Sequence, residues 1–360
     1  MESTTADAGQ IVTAGASGEG RMGWEVADRM ERERPSILSR LQPGRREIRA
    51  AASGVAVFLL LFAASCWLAG NPFEATQRIA SPIVDSHGWT GTSAWAVFWW
   101  VVLIAVVLEF LDASAGMGYG TAMTPLLLVV GFDPIQIVPA VMIQQAAAGL
   151  LGAFLHREFG NVEWRLRPMS ETVKLWLIIS VIGCAAVTFS ITAVYAMLKV
   201  AKVWISLYVA LLLVGMGVVS LVALRRRPEY RPGRMLFFGA LAGFNKGIGG
   251  GGYGPVVTVG GLLSGVPVKS MMAVTAISEG TVCLFSIVVW MAMLANGTAI
   301  DFILLPSMLL GSMIAAVGAP YATRVLPERT WRLVVPVYCC LLAAYTFWKI
   351  APKVVGALVP

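Results

Sequence analysis

The sequence predicts an all-α, polytopic membrane protein: two inverted-topology repeats with glycine-broken helices, plus one extra N-terminal transmembrane helix. Three observations lead there. Of 360 residues, 58% are hydrophobic and only 13% charged, about half the charge of an average soluble domain. Several stretches approach the roughly 20 apolar residues that cross a bilayer as a helix: Val55–Ala69, Leu175–Leu198, Val203–Leu224, Met271–Leu294, Phe302–Ala322 and Leu333–Trp348. Two glycine-rich interruptions recur in matching surroundings. The alternating ten-residue segments of a membrane β-barrel are absent.

The chain divides as follows. Residues 1–49 form a basic cytoplasmic arm, disordered at its Gly/Ala/Ser/Thr-rich start. Residues 50–70 are the extra transmembrane helix and 71–94 an external loop. Residues 95–224 make the first repeat, 225–234 a basic cytoplasmic linker, 235–350 the second repeat and 351–360 a tail. Orientation follows from the loop charges, because Lys and Arg accumulate on the cytoplasmic side. The arm carries Arg29, Arg32, Arg34, Arg40, Arg45, Arg46 and Arg49. Further inside loops are marked by Arg157, Arg165, Arg167 and Lys174, by Arg225–Arg234, and by Arg324, Arg329 and Arg332. Lys199, Lys202, Lys349 and Lys353 run against this tally. The net charge of +7 therefore reports orientation in a cell membrane, with the N-terminus cytoplasmic, and not nucleic-acid binding.

The repeat rests on a gapless alignment. Phe110 matches Phe244, Gly118-Tyr119-Gly120 matches Gly252-Tyr253-Gly254, and Thr124 matches Thr258. The first copy follows the external loop and the second follows the inside arginines, so equivalent loops face opposite sides, as in many secondary transporters. Gly inside a helix costs roughly 1 kcal/mol relative to Ala, so both tracts should break their helices. Freed backbone groups are tolerated at membrane depth only inside protein or beside water. The two breaks should therefore face each other or a cavity. The short helix restarting after each offers free N–H groups and a partial positive charge to an anion. Close helix packing by small residues is the competing reading. Pro255, Thr121 and Thr124-Pro125 are candidate helix starts. The tract is not a nucleotide P-loop, since no Lys-Ser/Thr follows it.

Charge inside a membrane helix costs about 2.5–3.5 kcal/mol on the lenient insertion scale, so Glu109, Asp112, Lys246 and Glu279 call for a function. Asp112 and Lys246 occupy equivalent repeat positions with opposite sign, which suggests a salt bridge, with Lys246 as the anion ligand. Asn245 is a neutral donor beside it. Gln144-Gln145 aligns with Ser278-Glu279 and could line the same cavity. The candidate binding set is thus Lys246, Asn245, Gly118, Tyr119, Gly120, Gly250, Gly251, Gly252, Tyr253, Gly254, Gln144, Gln145 and Ser278. Asp112, Glu279 and Glu109 are the candidate charge partners or proton carriers. The two histidines, His87 and His156, lie far apart, and His156 reads as an interfacial helix-end residue. Neither a metal site nor a nucleophile–base pair is supported, so the chain does not read as an enzyme.

The runs "GMGYGTAMTPLLLVVGFDP" and "GIGGGGYGPVVTVGGLLSGVP", with "AVTAISEG" at Ala273–Gly280, resemble the TauE/SafE sulfite exporter family. The resemblance spans roughly residues 95–350. Met117 and Tyr119 depart from its fuller glycine tract. It implies a cell-membrane carrier of small anions such as sulfite, organosulfonates or related organic acids, with no prosthetic group. The resulting expectation is alternating-access anion transport, with proton coupling left open. The partners would be the anion and membrane lipid, with self-association undecided. An uncoupled anion channel is the runner-up, ahead of an intramembrane enzyme or a scaffold protein.

Overall fold

The structure is a computed structural model. It describes residues 23–34, 36–73, 76, 79, 97–193, 229–295 and 300–358, with scattered positions between 207 and 222. Most of the expected helix Val203–Leu224, the end of the expected span Leu175–Leu198 (194–198), most of the loop 71–94, residues 1–22 and the arginines at 225–227 lie outside the described residues.

The described chain is all-helical. Its elements are α1 (Glu25–Glu33), α2 (Ile37–Arg40), α3 (Arg45–Ala69), α4 (Trp99–Ala115), α5 (Tyr119–Val130) and α6 (Pro134–Glu158). They continue with α7 (Glu171–Thr192), α8 (Arg234–Gly249), α9 (Tyr253–Leu263), α10 (Val268–Ala295), α11 (Leu305–Val325) and α12 (Glu328–Leu358). Five described stretches are long and apolar enough to cross a membrane: Arg45–Ala69, Ile135–Glu158, Glu171–Thr192, Val268–Ala295 and Leu305–Val325. The second of these was not legible as a span, because Pro139 and Gln144-Gln145 dilute it. Helix starts follow local chemistry. Asp133 accepts from the Ile135 N–H at 3.0 Å while Gln136 returns to the Asp133 N–H, a reciprocal cap with Pro134 in the first turn.

The element borders repeat. Helices α5 and α9, α6 and α10, and α7 and α11 begin at Tyr119 and Tyr253, Pro134 and Val268, and Glu171 and Leu305. That is the 134-residue spacing that also relates Gln145 to Glu279. Packing repeats with it: α8 lies along α7, α4 along α11, and α6 along α10. The α7–α8 contact is made by small residues spaced one turn apart. A Cβ on Gly239 would lie 3.3 Å from the Ile179 Cα, one on Gly243 2.8 Å from the Gly183 Cα, and one on Gly247 2.6 Å from the Ser190 Cβ. Such a stripe lets membrane helices approach until their backbones touch.

The N-terminal arm is attached to the bundle. The Arg40 guanidinium donates to the Val325 carbonyl at 3.3 Å, and the Tyr321 hydroxyl donates to the Leu41 carbonyl at 2.7 Å. Trp24 packs edge-on against Tyr230, with ring centroids 4.9 Å apart. Arg46 pairs with Glu158 at 2.6 Å, and the buried Arg324 pairs with Glu47 at 2.5 Å. The two ion pairs differ in consequence. The Arg46 side chain is 71% exposed and that of Arg324 is 0% exposed. Glu158→Ala is expected to leave stability nearly unchanged, because its partner is solvated. Glu47→Ala strands a buried guanidinium and is expected to cost roughly 3 kcal/mol or more. Thermal unfolding of the purified protein checks the difference. Near the other end of the bundle, the Ile79 N–H and Gln136 Nε2 both donate to Asp301 Oδ2, at 3.0 and 2.9 Å.

Candidate functional site

Both glycine tracts break their helices, and the breaks meet. Helix α4 ends on Gly116 at φ 73° and α8 on Gly250 at φ 71°. Gly118 at φ 131° and Gly252 at φ 79° then precede α5 and α9. These left-handed conformations carry a steric penalty for any residue with a Cβ. A Cβ on Gly120 would run into the Gly250 carbonyl. One on Gly254 would lie 2.5 Å from the Gly116 oxygen, and one on Gly251 2.6 Å from the Gly120 oxygen. Each tract is thus the floor for the other. Side chains complete the seam: Thr121 Oγ1 accepts from the Gly252 N–H at 2.9 Å, and the Thr258 hydroxyl donates to the Gly116 carbonyl at 2.8 Å. Thr121 therefore caps the opposite tract rather than its own helix, and α9 starts at Tyr253, before Pro255. The glycines of both tracts thus serve close backbone packing.

Beside this seam lies a buried charge cluster. Lys246, on the last turn of α8, reaches α10, where its ammonium donates to Glu279 Oε1 at 2.7 Å and to Gln145 Oε1. Gln145 Nε2 donates to the same Glu279 oxygen at 3.1 Å. Gln144 Nε2 donates to Glu109 Oε2 at 2.6 Å and to the Ser312 hydroxyl at 2.8 Å. Lys246 is 0% exposed, Glu109 2% and Gln145 3%. The expected Asp112–Lys246 bridge is replaced: the lysine is paired with Glu279, while Asp112 Oδ1 accepts from the Tyr119 N–H at 3.2 Å. The reason is directional. Asp112 caps the helix that follows its own break, whereas the lysine stem extends across to the neighbouring helix.

A narrow cavity of about 20 Å³ opens on the cluster, lined among others by Glu109, Asp112, Gly116, Gln145, Thr275 and Glu279. Three carboxylates face it, and Lys246 stands behind Glu279. The expected electropositive pocket is thus acidic at this cavity. Of the sequence candidates, Glu109, Asp112, Gln144, Gln145, Lys246 and Glu279 come together. Gly120, Gly250, Gly251 and Gly254 form the seam. Ser278 instead donates to the Thr275 carbonyl within its own helix, and Gly118 faces the Tyr338 ring of α12. Tyr119 and Tyr253 are fully buried and do not line the cavity. Asn245 lies apart from the cavity, against Gly252.

Thr275 and Ser312 were missed. Thr275 stands one turn before Glu279 on α10, a signal that helical spacing could have supplied. Ser312 on α11 gave none. His156 is buried rather than interfacial: Asn161 Nδ2 lies 3.0 Å from its Nδ1 and its Nε2 is 3.3 Å from the Ala113 carbonyl oxygen. It ties the cavity-lining end of α4 to α6.

Comparison with known proteins places the chain in a family. The family model described as Sulfite exporter TauE/SafE matches residues 101–346, which contain the seam and the whole charge cluster. A curated relative, the "Probable membrane transporter protein YtnM" of Bacillus subtilis (strain 168), is 32% identical over 168 residues, 43% of this chain and 51% of that protein. The match thus spans about half the length of the relative. No solved structure matches. With most of its length covered by the family model, the chain belongs to the TauE/SafE sulfite exporter family of membrane transporters.

Proposed function

We propose that this protein carries a small anion, such as sulfite, an organosulfonate or a related organic anion, across the cell membrane by alternating access. In this reading residues 95–224 and 235–350 are inverted repeats, the N-terminus is cytoplasmic, and the seam between the glycine breaks is the fulcrum. The observation that carries it is the meeting of both breaks beside a buried Lys246–Glu279 pair. Unwound backbone and buried charge at one place are the usual binding centre of repeat-built carriers. The repeating packing, α7 on α8 and α11 on α4, supports two equivalent bodies.

Charge counting supports proton coupling. Three carboxyl groups, Glu109, Asp112 and Glu279, surround the single ammonium of Lys246 in the cluster, so the charge an approaching anion meets depends on how many of them carry a proton. Lowering pH protonates carboxylates, so anion uptake is expected to rise as pH falls on the entry side. The test is uptake of labelled sulfite, sulfoacetate and acetate into proteoliposomes with an imposed pH gradient. Accumulation above the external concentration supports the reading. Flux that only dissipates gradients and ignores pH would identify a channel, and absence of anion flux would remove the proposal.

A further inference from the structure

The two helix starts at the seam are not equivalent. At α5 the position facing the N-terminus is already filled by an anion of the protein's own, since Asp112 Oδ1 accepts from the Tyr119 N–H at 3.2 Å. In the second tract Lys246 stands where Asp112 does, and turns its ammonium to Glu279. Helix α9, 11 residues long, follows Gly252, which like Gly118 before α5 has no side chain to cap it and whose own N–H donates to Thr121 Oγ1. One place earlier, the first tract has Leu111 and the second has Asn245. Asn245 is 1% exposed, yet neither its Nδ2 nor its Oδ1 has a partner. Its Nδ2 lies 3.6 Å from where a Cβ on Gly252 would stand, so the orphan amide borders the N-terminus of α9. A buried amide without a partner forfeits its hydration for nothing, which is the state expected of a group awaiting a ligand.

We infer that the transported anion seats one oxygen at the N-terminus of α9, in the place that Asp112's carboxylate fills at α5, with the Asn245 amide as its side-chain ligand. This rests on the anion-transport reading above. It assigns the seat to one of the two breaks and makes the other a self-capped counterpart. The ligand chemistry is an oxyanion, sulfonate or carboxylate, with an oxygen free to accept two N–H bonds. A helix N-terminus supplies the favourable partial charge, the Tyr253 N–H the first bond and Asn245 the second.

The experiment is binding of sulfite, sulfoacetate and acetate to the purified full chain in detergent, with thermal unfolding measured on the same samples. Asn245→Leu copies the first tract. It should weaken anion binding by about tenfold or more, the loss of one hydrogen bond to a charged group, while leaving the unfolding temperature unchanged or higher. Asn245→Asp places a carboxylate of the protein's own beside the seat and should abolish binding. If Asn245→Leu binds like the parent, the inference is overturned while anion transport stands. If Asn245→Leu no longer folds, the inference also falls, because a side chain without internal partners should not hold the fold. A parent chain that binds none of the anions would overturn the transport reading and this seat with it.

Discussion

Lys246→Ala is expected to abolish uptake and to destabilise the protein, and its effect should be the largest of any single change in the cluster. The ammonium is fully buried, pairs with Glu279 at 2.7 Å and also engages Gln145. Removing one member of a buried pair leaves the other charge without compensation, a cost of roughly 3–5 kcal/mol. Here the uncompensated group would be Glu279, next to Asp112 and Glu109 on one cavity wall, so repulsion adds to desolvation. Replacing both members, as in Lys246→Met with Glu279→Met, removes the stranded charge. That double variant should recover much of the unfolding temperature but not transport. The two readouts separate a structural role from a functional one. Lys246→Ala transporting at the parent's rate would refute the placing of this lysine at the centre of the mechanism.

The second large effect is expected from Gly254→Ala. Its new Cβ would lie 2.5 Å from the Gly116 carbonyl oxygen and 2.8 Å from the Met117 Cα. Both are backbone atoms of the opposite tract, so no side-chain rotation relieves the clash. Only separation of the breaks does. Overpacking of this kind costs about 1–3 kcal/mol or more. Gly251→Ala should behave alike, with the Gly120 carbonyl oxygen 2.6 Å away. Gly249→Ala is the control. A Cβ there has nothing within 4 Å and would end a helix with a better helix former, so stability should hold or rise by up to about 1 kcal/mol. Thermal unfolding and the yield of folded protein from membranes measure all three. Equal losses at Gly249 and Gly254 would mean that the tract matters through flexibility and not through contact.

These outcomes show where sequence reading succeeds and where it stops. Hydropathy and the recurring Gly-Tyr-Gly triplet were sufficient to place the breaks, because a run of glycines in an apolar helix has few physical explanations. The buried charges were equally plain, since each ionisable residue in such surroundings carries a high cost. Their pairing was not. Repeat symmetry suggested Asp112 opposite Lys246, yet a lysine stem reaches several ångströms and its direction depends on which helix lies alongside. Thr121 shows the same limit: as a local cap it looked available to its own helix, but the neighbouring tract comes close enough to claim its hydroxyl. His156 was misjudged because burial depends on α4 and α11, both distant in sequence.

The sequence by itself determined the membrane-helical class, the two broken segments and the residues whose chemistry has to be accommodated, because these follow from local composition and from periodicity along one chain. Only the tertiary structure decided that Lys246 joins Glu279, that Asp112 caps α5 and that Asn245 is left without a partner. Those outcomes depend on distances between helices far apart in sequence, and contacts that short are set by how backbones pack through glycine, which no single segment encodes.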